Sequence, residues 1–539
     1  SSGTSWLPQA RLEADARGPA GTAAMGAVCS GPGGALDDAT SIVLTVVWPS
    51  GEPILERASL RLDDTVLRLR LMVQQAASGR IGALISPGHE RLRWDARLGA
   101  AGLSDRDVVT ALREPPARLH ATHWAFAALL GDGRVATWGD AGYGGDSSAV
   151  RHQLSGGVRS IHATASAFAA VKDDGTTVTW GCPGDGGDSS AVQEQLKGHV
   201  VQVCSTHWAF AALKESGQVV TWGDALSAGD SRGVSEQIAS GVSTIYSNHE
   251  AFAAVKSDGQ VVTWGKARHG GDCSAVRADL APPVRHIYAS SWAFAAVVGD
   301  GRVVTWGHPG CGGDSTAVRQ QLSAGVREVC ATMGAFAAVL ADGSVVTWGD
   351  PSCGGDSSAV RHRLRGGIER VYATSWAFAA VAGDGSVVTW GSAEGGGDSA
   401  RAAEGFAAGV RDVSATCRAF AAVTRGGAVV AWGDRHCGGD SSAVASRLAG
   451  GVQRVFATSS AFAAVREDGA VVTWGQCGGD SSVAEPMLRT GGIRELVSTL
   501  GAFAAVKEDN AIVTWGWAGH GGGLVELPAD LCGGQPGRA

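Results

Sequence analysis

The sequence predicts a mainly β chain in which ten repeated small sheets follow one small α+β domain. Three observations predict it. The phenylalanine of a recurring AFAAV-type stretch falls at Phe126, Phe168, Phe210, Phe252, Phe294, Phe336, Phe378, Phe420, Phe462 and Phe503, a step of 42 residues with one final step of 41. The tryptophan of a TWG-type stretch keeps the same beat, from Trp138 through Trp180 and Trp222 to Trp515. Within each copy the apolar residues alternate or are β-branched, which is the period of a strand and not of a helix.

The totals set the class. At 539 residues the chain exceeds one small core, and 80 glycines with 44% apolar residues suit a turn-rich protein. A net charge of -8 argues against a phosphate-binding surface, so nucleic acid is not an expected partner. The 11 cysteines are scattered, with no C-x-x-C pair to hold zinc or run thiol exchange, and free thiols in a reducing compartment are the expectation. No stretch approaches the roughly 18 continuous apolar residues of a membrane-spanning helix. A cytoplasmic location follows as an expectation.

Residues 1–40 are rich in Gly, Ala, Ser and Pro, without an apolar period, and read as a flexible tail. Within it, Met25-Gly26-Ala27-Val28-Cys29-Ser30 fits the N-myristoylation pattern, with Cys29 placed for palmitoylation three residues after Gly26. Two acyl chains anchor stably where one holds marginally, so this motif would make the chain membrane-associated if Gly26 stood at a free amino terminus. The competing reading is an inert glycine-rich tail.

From Ser41 the texture changes. SIVLTVVWPSGEPILERASLRL gives two alternating runs around Pro49-Ser50-Gly51, a strand, a turn and a strand. Asp63-Asp64-Thr65 supplies an N-cap for the helix VLRLRLMVQQAA. A short strand at HERLRWD and a last one at DVVTALR complete residues 41–113. With Leu92, Leu103 and Asp105 inside "ERLRWDARLGAAGLSDRDVVTAL", this order resembles the ubiquitin-like β-grasp family. In that resemblance Arg93 stands where ubiquitin has the isoleucine of its recognition patch, and the segment runs into REPPARL without a terminal Gly-Gly. The resemblance therefore implies a built-in ubiquitin-like module and not a conjugated one. A small adaptor domain unrelated to ubiquitin is the other reading.

Residues 114–116 are the expected linker, 117–531 the repeats and 532–539 a C-terminal tail. In one copy VRSIHAT, AFAAVK and TTVTWG each read as a strand, and Asp174-Gly175 joins the second to the third in a tight hairpin. The stretch GGDSSAVQEQL follows, where Asp188 or Ser189 caps a short helical turn before the next copy. Such a sheet must stack on its neighbours, and bulky Phe and Trp among alanines are the knobs for that stacking.

The hairpins DGRVATWG (132–139), DGSVVTWG (342–349) and DGAVVTWG (468–475) resemble the regulator-of-chromosome-condensation (RCC1-like) β-propeller family. That resemblance departs at Thr122 and Thr164, where the family usually has glycine, and at Ala167, where it usually has histidine. The family's usual seven blades also contrast with ten copies, so one ring of ten blades is the first expectation and an open or subdivided array the second.

Candidate sites are few. The Asp of GGDS recurs at Asp146, Asp188, Asp230, Asp272, Asp314, Asp356, Asp398, Asp440 and Asp480. One carboxylate per loop suits helix capping better than calcium, which needs several converging oxygens. Trp124, Trp208, Trp292 and Trp376 lie two residues before the motif Phe at a spacing of 84, which suggests growth by duplication of repeat pairs. Residues two apart in a strand share a face, so these tryptophans read as interior packing beside Phe126; exposed, they would anchor a partner. No H-E-x-x-H, G-x-S-x-G or P-loop pattern is present, and no cofactor, metal or catalysis is expected. The expected function is a protein-interaction scaffold. The alternatives are a HERC-like adaptor in ubiquitin ligation, a nucleotide-exchange regulator of a small GTPase, and a tryptophan-based ultraviolet receptor. The last draws on 18 tryptophans, of which ten belong to the repeat.

Overall fold

The computed structural model describes residues 41–77, 81–93, 96–113, 115–280, 283–299, 301–489, 492–523 and 526–527. Gly26, Cys29 and the C-terminal tail lie outside them. The chain divides into one unit ending at Pro115 and a second that starts at Pro116. Among the described residues no helix is long and apolar enough to cross a membrane.

The first unit is α+β. Strand β1 (Ser41–Val47) buries alternate residues, and it pairs antiparallel with β2 (Pro53–Arg61) and parallel with β4 (Val108–Arg113). Helix α1 (Val66–Ala76) starts where Thr65 Oγ1 accepts from Arg68 N at 3.3 Å, and it buries Val66, Leu69 and Val73 on one stripe. The sheet order is β2-β1-β4-β3.

One expectation is corrected here. The third strand, β3, is Ile81–Ile85, and HERLRWD contributes only a single bridge, Ile85 to Arg91. The sequence IGALI carries two buried β-strand anchors, Ile81 and Leu84, whereas among the described residues of HERLRWD Leu92 alone is buried. Leu92 and Leu103 are buried, and Asp105 Oδ1 accepts from Val43 N at 2.8 Å, fastening the loop before β4 to β1.

The second unit is a β-propeller of ten blades. Blade one is β5 (Arg118–Ala121), β6 (Ala125–Leu129) and β7 (Val135–Gly139). Blade two is β8 (Val158–Ala163), β9 (Ala167–Lys172) and β10 (Thr177–Gly181), and the three-stranded antiparallel pattern recurs to blade ten. The tenth adds a two-residue strand, Glu526–Leu527.

The middle strand explains the packing. Because its side chains alternate, Phe168 and Ala170 face the preceding blade while Ala167, Ala169 and Val171 face the following one. Each Phe pairs across to the Trp of the outer strand, as Phe168 does to Trp180 with centroids 5.2 Å apart. That aromatic pair then lies on the small Ala-Ala face of its neighbour. All ten motif phenylalanines are fully buried. Burying each contributes about 1.5–3 kcal/mol, which makes this layer the main cohesion between blades.

Polar groups reinforce it. Trp180 Nε1 donates to Gly144 O of the preceding blade at 3.0 Å, and the same bond, 36 residues back along the chain, recurs through Trp474 to Gly438. Glycine is favoured there, though Ala228 takes the same place in blade three at φ +81°. Gly144 has φ +90°, and a Cβ would sit 2.7 Å from Phe168 Cδ2. Inner strands bulge at one residue, and there Arg327 and Arg411 reach Glu369 O and Gln453 O of the following blades at 2.6 and 2.7 Å.

Blade ten packs its apolar residues on blade one as the other pairs do. Ala502, Ala504 and Val506 meet Phe126, Ala128 and Trp138 in one core. The ring closes.

Candidate functional site

One end of every blade carries the inner-to-middle hairpin and the turn that follows the outer strand, a 3-10 turn in all but blades seven and nine. The residue four before the motif Phe ties them together. Thr164 Oγ1 accepts from Ala167 N at 3.0 Å and donates to Asp185 O of the turn at 3.1 Å. Thr122 does the same toward Ala125 and Tyr143. Asn248 and Ser290 substitute an amide and a serine hydroxyl for the threonine and reach the same turn carbonyls, His269 O and Cys311 O. The departures at Thr122 and Thr164 thus have a structural use, and the recurrence of a small polar residue at this place was the sequence signal for it.

The next residue forms a belt that the sequence reading did not find. His123 N donates to Ala165 O, Ala165 N to His207 O, His207 N to His249 O and His249 N to Ser291 O; the series continues through Met333, Ser375 and Cys417 to Ser459 O. Ser459 Oγ donates to Leu500 O at 2.6 Å, and Leu500 N returns to His123 O at 3.0 Å. The belt runs through all ten blades and closes on itself.

Three of its members are histidines on blades one, three and four. His207 and His249 stack with centroids 4.0 Å apart, and His123 meets His207 edge-on at 5.7 Å. Burial, then repulsion from His249 and His123, lowers His207 to about 3; burial, against the pull of Glu250, lowers His249 to about 4. Both are neutral near pH 7. Among the described residues no three His, Cys, Asp or Glu side chains are placed to hold a metal ion.

The tryptophans come one residue later. Trp124 precedes β6 in a bend, so the two-residue alternation does not carry it to the side of Phe126. It turns to the rim, where it stacks on His520 of blade ten at 5.1 Å and lies against Tyr143 at 4.1 Å. Trp208 meets His207 at 5.3 Å, and Trp292 stacks on His269 of blade four at 5.4 Å. Arg418 Cζ lies 5.9 Å from the Trp376 ring centre. Trp124, Trp208 and Trp376 are half-buried, and Trp292 is 37% exposed.

Two further apolar residues share this end: Leu226, 83% exposed in its 3-10 turn, and Trp517, 57% exposed beside the last one. With Trp292 they are exposed apolar points on blades three, five and ten, around one face of the ring. At the opposite end Arg370, Arg411, Arg425 and Arg454 line a cleft of about 500 Å³ together with Glu369 and Asp412, and Val201, at the place of Arg411 in blade three, is exposed.

The GGDS carboxylates belong to neither surface. Asp188 Oδ1 accepts from Ser190 N at 2.9 Å, and all nine make the equivalent bond two residues on. Ser189 does not cap the turn. Its hydroxyl is held by Thr179 of the outer strand at 2.9 Å.

No protein-family model and no curated protein matches the sequence. Solved structures do. The chain is similar to Prp20p of Saccharomyces cerevisiae, with 16% identity over 52% of this chain and 82% of that one and a TM-score of 0.30. Human WBSCR16 matches at 14% over 57% and 83%, with a TM-score of 0.28. The ectodomain of the Physcomitrella patens receptor kinase CR4 matches at 12% over 56% and 76%, with a TM-score of 0.29.

Proposed function

We propose that this chain is a non-enzymatic, cytoplasmic protein-interaction scaffold whose tryptophan-bearing propeller face engages a protein partner. The observation that carries the reading is that Leu226, Trp292 and Trp517, on blades three, five and ten, are all exposed on the face that also presents Trp124, Trp208 and Trp376. Tryptophan and flanking arginine are the residue types that dominate binding energy at protein interfaces. The face is built on rigid blades, so it costs little entropy to hold ready.

The test compares the full chain with a Leu226→Asp/Trp292→Asp/Trp517→Asp variant of unchanged circular dichroism. Proteins cross-linked to each in native extract are then quantified. A partner recovered in near-stoichiometric amount with the parent, lost from the variant and rebinding the parent once purified, is the expected result. Equal recovery by both overturns the assignment of this face.

The second reading is an adaptor in ubiquitin ligation, favoured by the β2-β1-β4-β3 order and the one helix among the described residues of the N-terminal unit. Prp20p is described by its binding to Gsp1p and histones. A small GTPase as the captured partner would move the present chain to the regulatory reading.

A further inference from the structure

The hydroxyl or amide bond that fastens each such turn to its hairpin also brings two side-chain positions together. They are the belt residue, three before the motif Phe, and the last residue of the turn, seventeen after it or, in blade nine, fifteen. In blade six they are Met333 and Cys353, in blade seven Ser375 and Gly395, in blade nine Ser459 and Cys477. Blade eight alone places cysteine at both. Thr416 Oγ1 donates to Cys437 O at 2.9 Å, and the Cys417 and Cys437 sulfurs lie 3.7 Å apart, both thiols half-buried.

We propose that Cys417 and Cys437 form a peroxide-responsive dithiol that closes to an intrablade disulfide. The two residues are 20 apart in sequence, so no C-x-x-C pattern announces them. The backbone partners are already in place: Cys417 N donates to Ser459 O, and Cys437 N to Asp434 O. Closure therefore asks for side-chain rotation and a modest approach, not refolding.

The chemistry assigns the roles. The bond from Cys437, helped by the Arg418 charge, lowers the Cys417 thiol below its usual range, and the same bond raises Cys437. Cys417, beside the Arg418 charge, is thus assigned the first attack, as its thiolate forms, and Cys437 the resolving step. The Cys417 thiolate attacks one oxygen of a hydroperoxide, the O–O bond breaks, and a sulfenic acid and hydroxide or alkoxide form. Cys437 sulfur then attacks the Cys417 sulfur, the S–O bond breaks, and water leaves with the Cys437 proton. Two electrons pass from the thiols to the peroxide, and a dithiol reductant reverses the change. The consequence is local. The disulfide ties the belt to turn Arg435–Cys437, beside the Arg418 that covers Trp376.

The test uses the full chain, reduced, freed of reductant and exposed to hydrogen peroxide, then alkylated and mapped by non-reducing peptide mass spectrometry. The linked Cys417–Cys437 peptide should appear roughly tenfold faster than free thiol is lost at the half-buried Cys182 and Cys477. Cys437→Ser should leave a sulfenic acid at Cys417 that a 1,3-dione probe captures, whereas Cys417→Ser should leave Cys437 a free thiol. Full alkylation of both cysteines in the parent chain while Cys477 oxidises would overturn the proposal, and that reading needs no variant to fold.

Discussion

Gly521 lies against the ring of Phe126, so closely that a Cβ there would stand 2.6 Å from Phe126 Cδ2. This contact joins the last blade to the first and repeats the relation of Gly144 to Phe168. Its φ of +91° adds a backbone reason for glycine. Gly521→Val should therefore pry the seam apart, with a loss of about 1–3 kcal/mol from overpacking. Hydrogen exchange should rise in Arg118–Ala121 and Ala502–Lys507 while blades four to six keep their protection. Uniform change around the ring would contradict a closed seam.

Polar pairing is incomplete at two blades. Trp138 and Trp515 indole nitrogens have no acceptor among the described residues, while eight other motif tryptophans donate across to the preceding blade. Trp515 follows the single 41-residue step, and Trp138 faces the seam. Trp180→Phe should accordingly cost about 1–2 kcal/mol more than Trp138→Phe, the worth of a buried hydrogen bond with its carbonyl left unpaired. Chemical denaturation of the two variants measures the difference, and equal losses would deny the bond its role.

Two aromatic positions only two residues apart in the repeat should behave oppositely. Phe210→Ala empties a fully buried site and should cost about 3–5 kcal/mol. Trp292→Ala, at a 37% exposed site, should cost under about 1 kcal/mol. Stability curves for both decide between the packing and the partner-anchor readings of the tryptophans, since a large loss at Trp292 would return it to the core.

Acid should loosen the belt. His207 and His249 titrate at about 3 and about 4 in the fold, below the ordinary 6.5, and His120 and His162 are lowered to about 4 chiefly by burial. The unfolded chain takes up protons near pH 6.5 that the folded ring refuses. Stability therefore falls as pH drops from about 6.5 toward 4, by up to a few kcal/mol, and this contribution is exhausted below about 3. Urea midpoints measured from pH 7 to 5 should decline, and His207→Asn should flatten the decline. An unchanged slope in the variant would remove His207 from the account.

Much of the repeat was legible because each blade is built from local patterns. The strands around Phe168 and Trp180 follow from alternation, and Asp174-Gly175 from turn chemistry. In the N-terminal unit, Thr65 and the stripe Val66, Leu69 and Val73 announced the helix, yet HERLRWD misled. Its alternation looked like a strand, and only pairing with β4 chose Ile81–Ile85 instead. The tryptophans misled for a related reason. Trp124 and Phe126 are two apart, but the strand begins between them, so their side chains part. The histidine belt left no local trace at all, because His123, His207 and His249 are 42 or 84 residues apart.

By itself the sequence determined the period, the three strands of a blade and the aromatic pair that glues blades together. Each of these rests on residues near in the chain, where alternation and φ preferences act. The tertiary structure decided that the ring closes at ten, that the tryptophans gather on one end and that Cys417 meets Cys437. Closure is the sum of ten interblade rotations, each set by how Phe and Trp seat on the next blade's alanines. No single repeat encodes that sum; the folded blade brings together groups 20 residues apart, and only the stacked sheets those 36 or 42 apart.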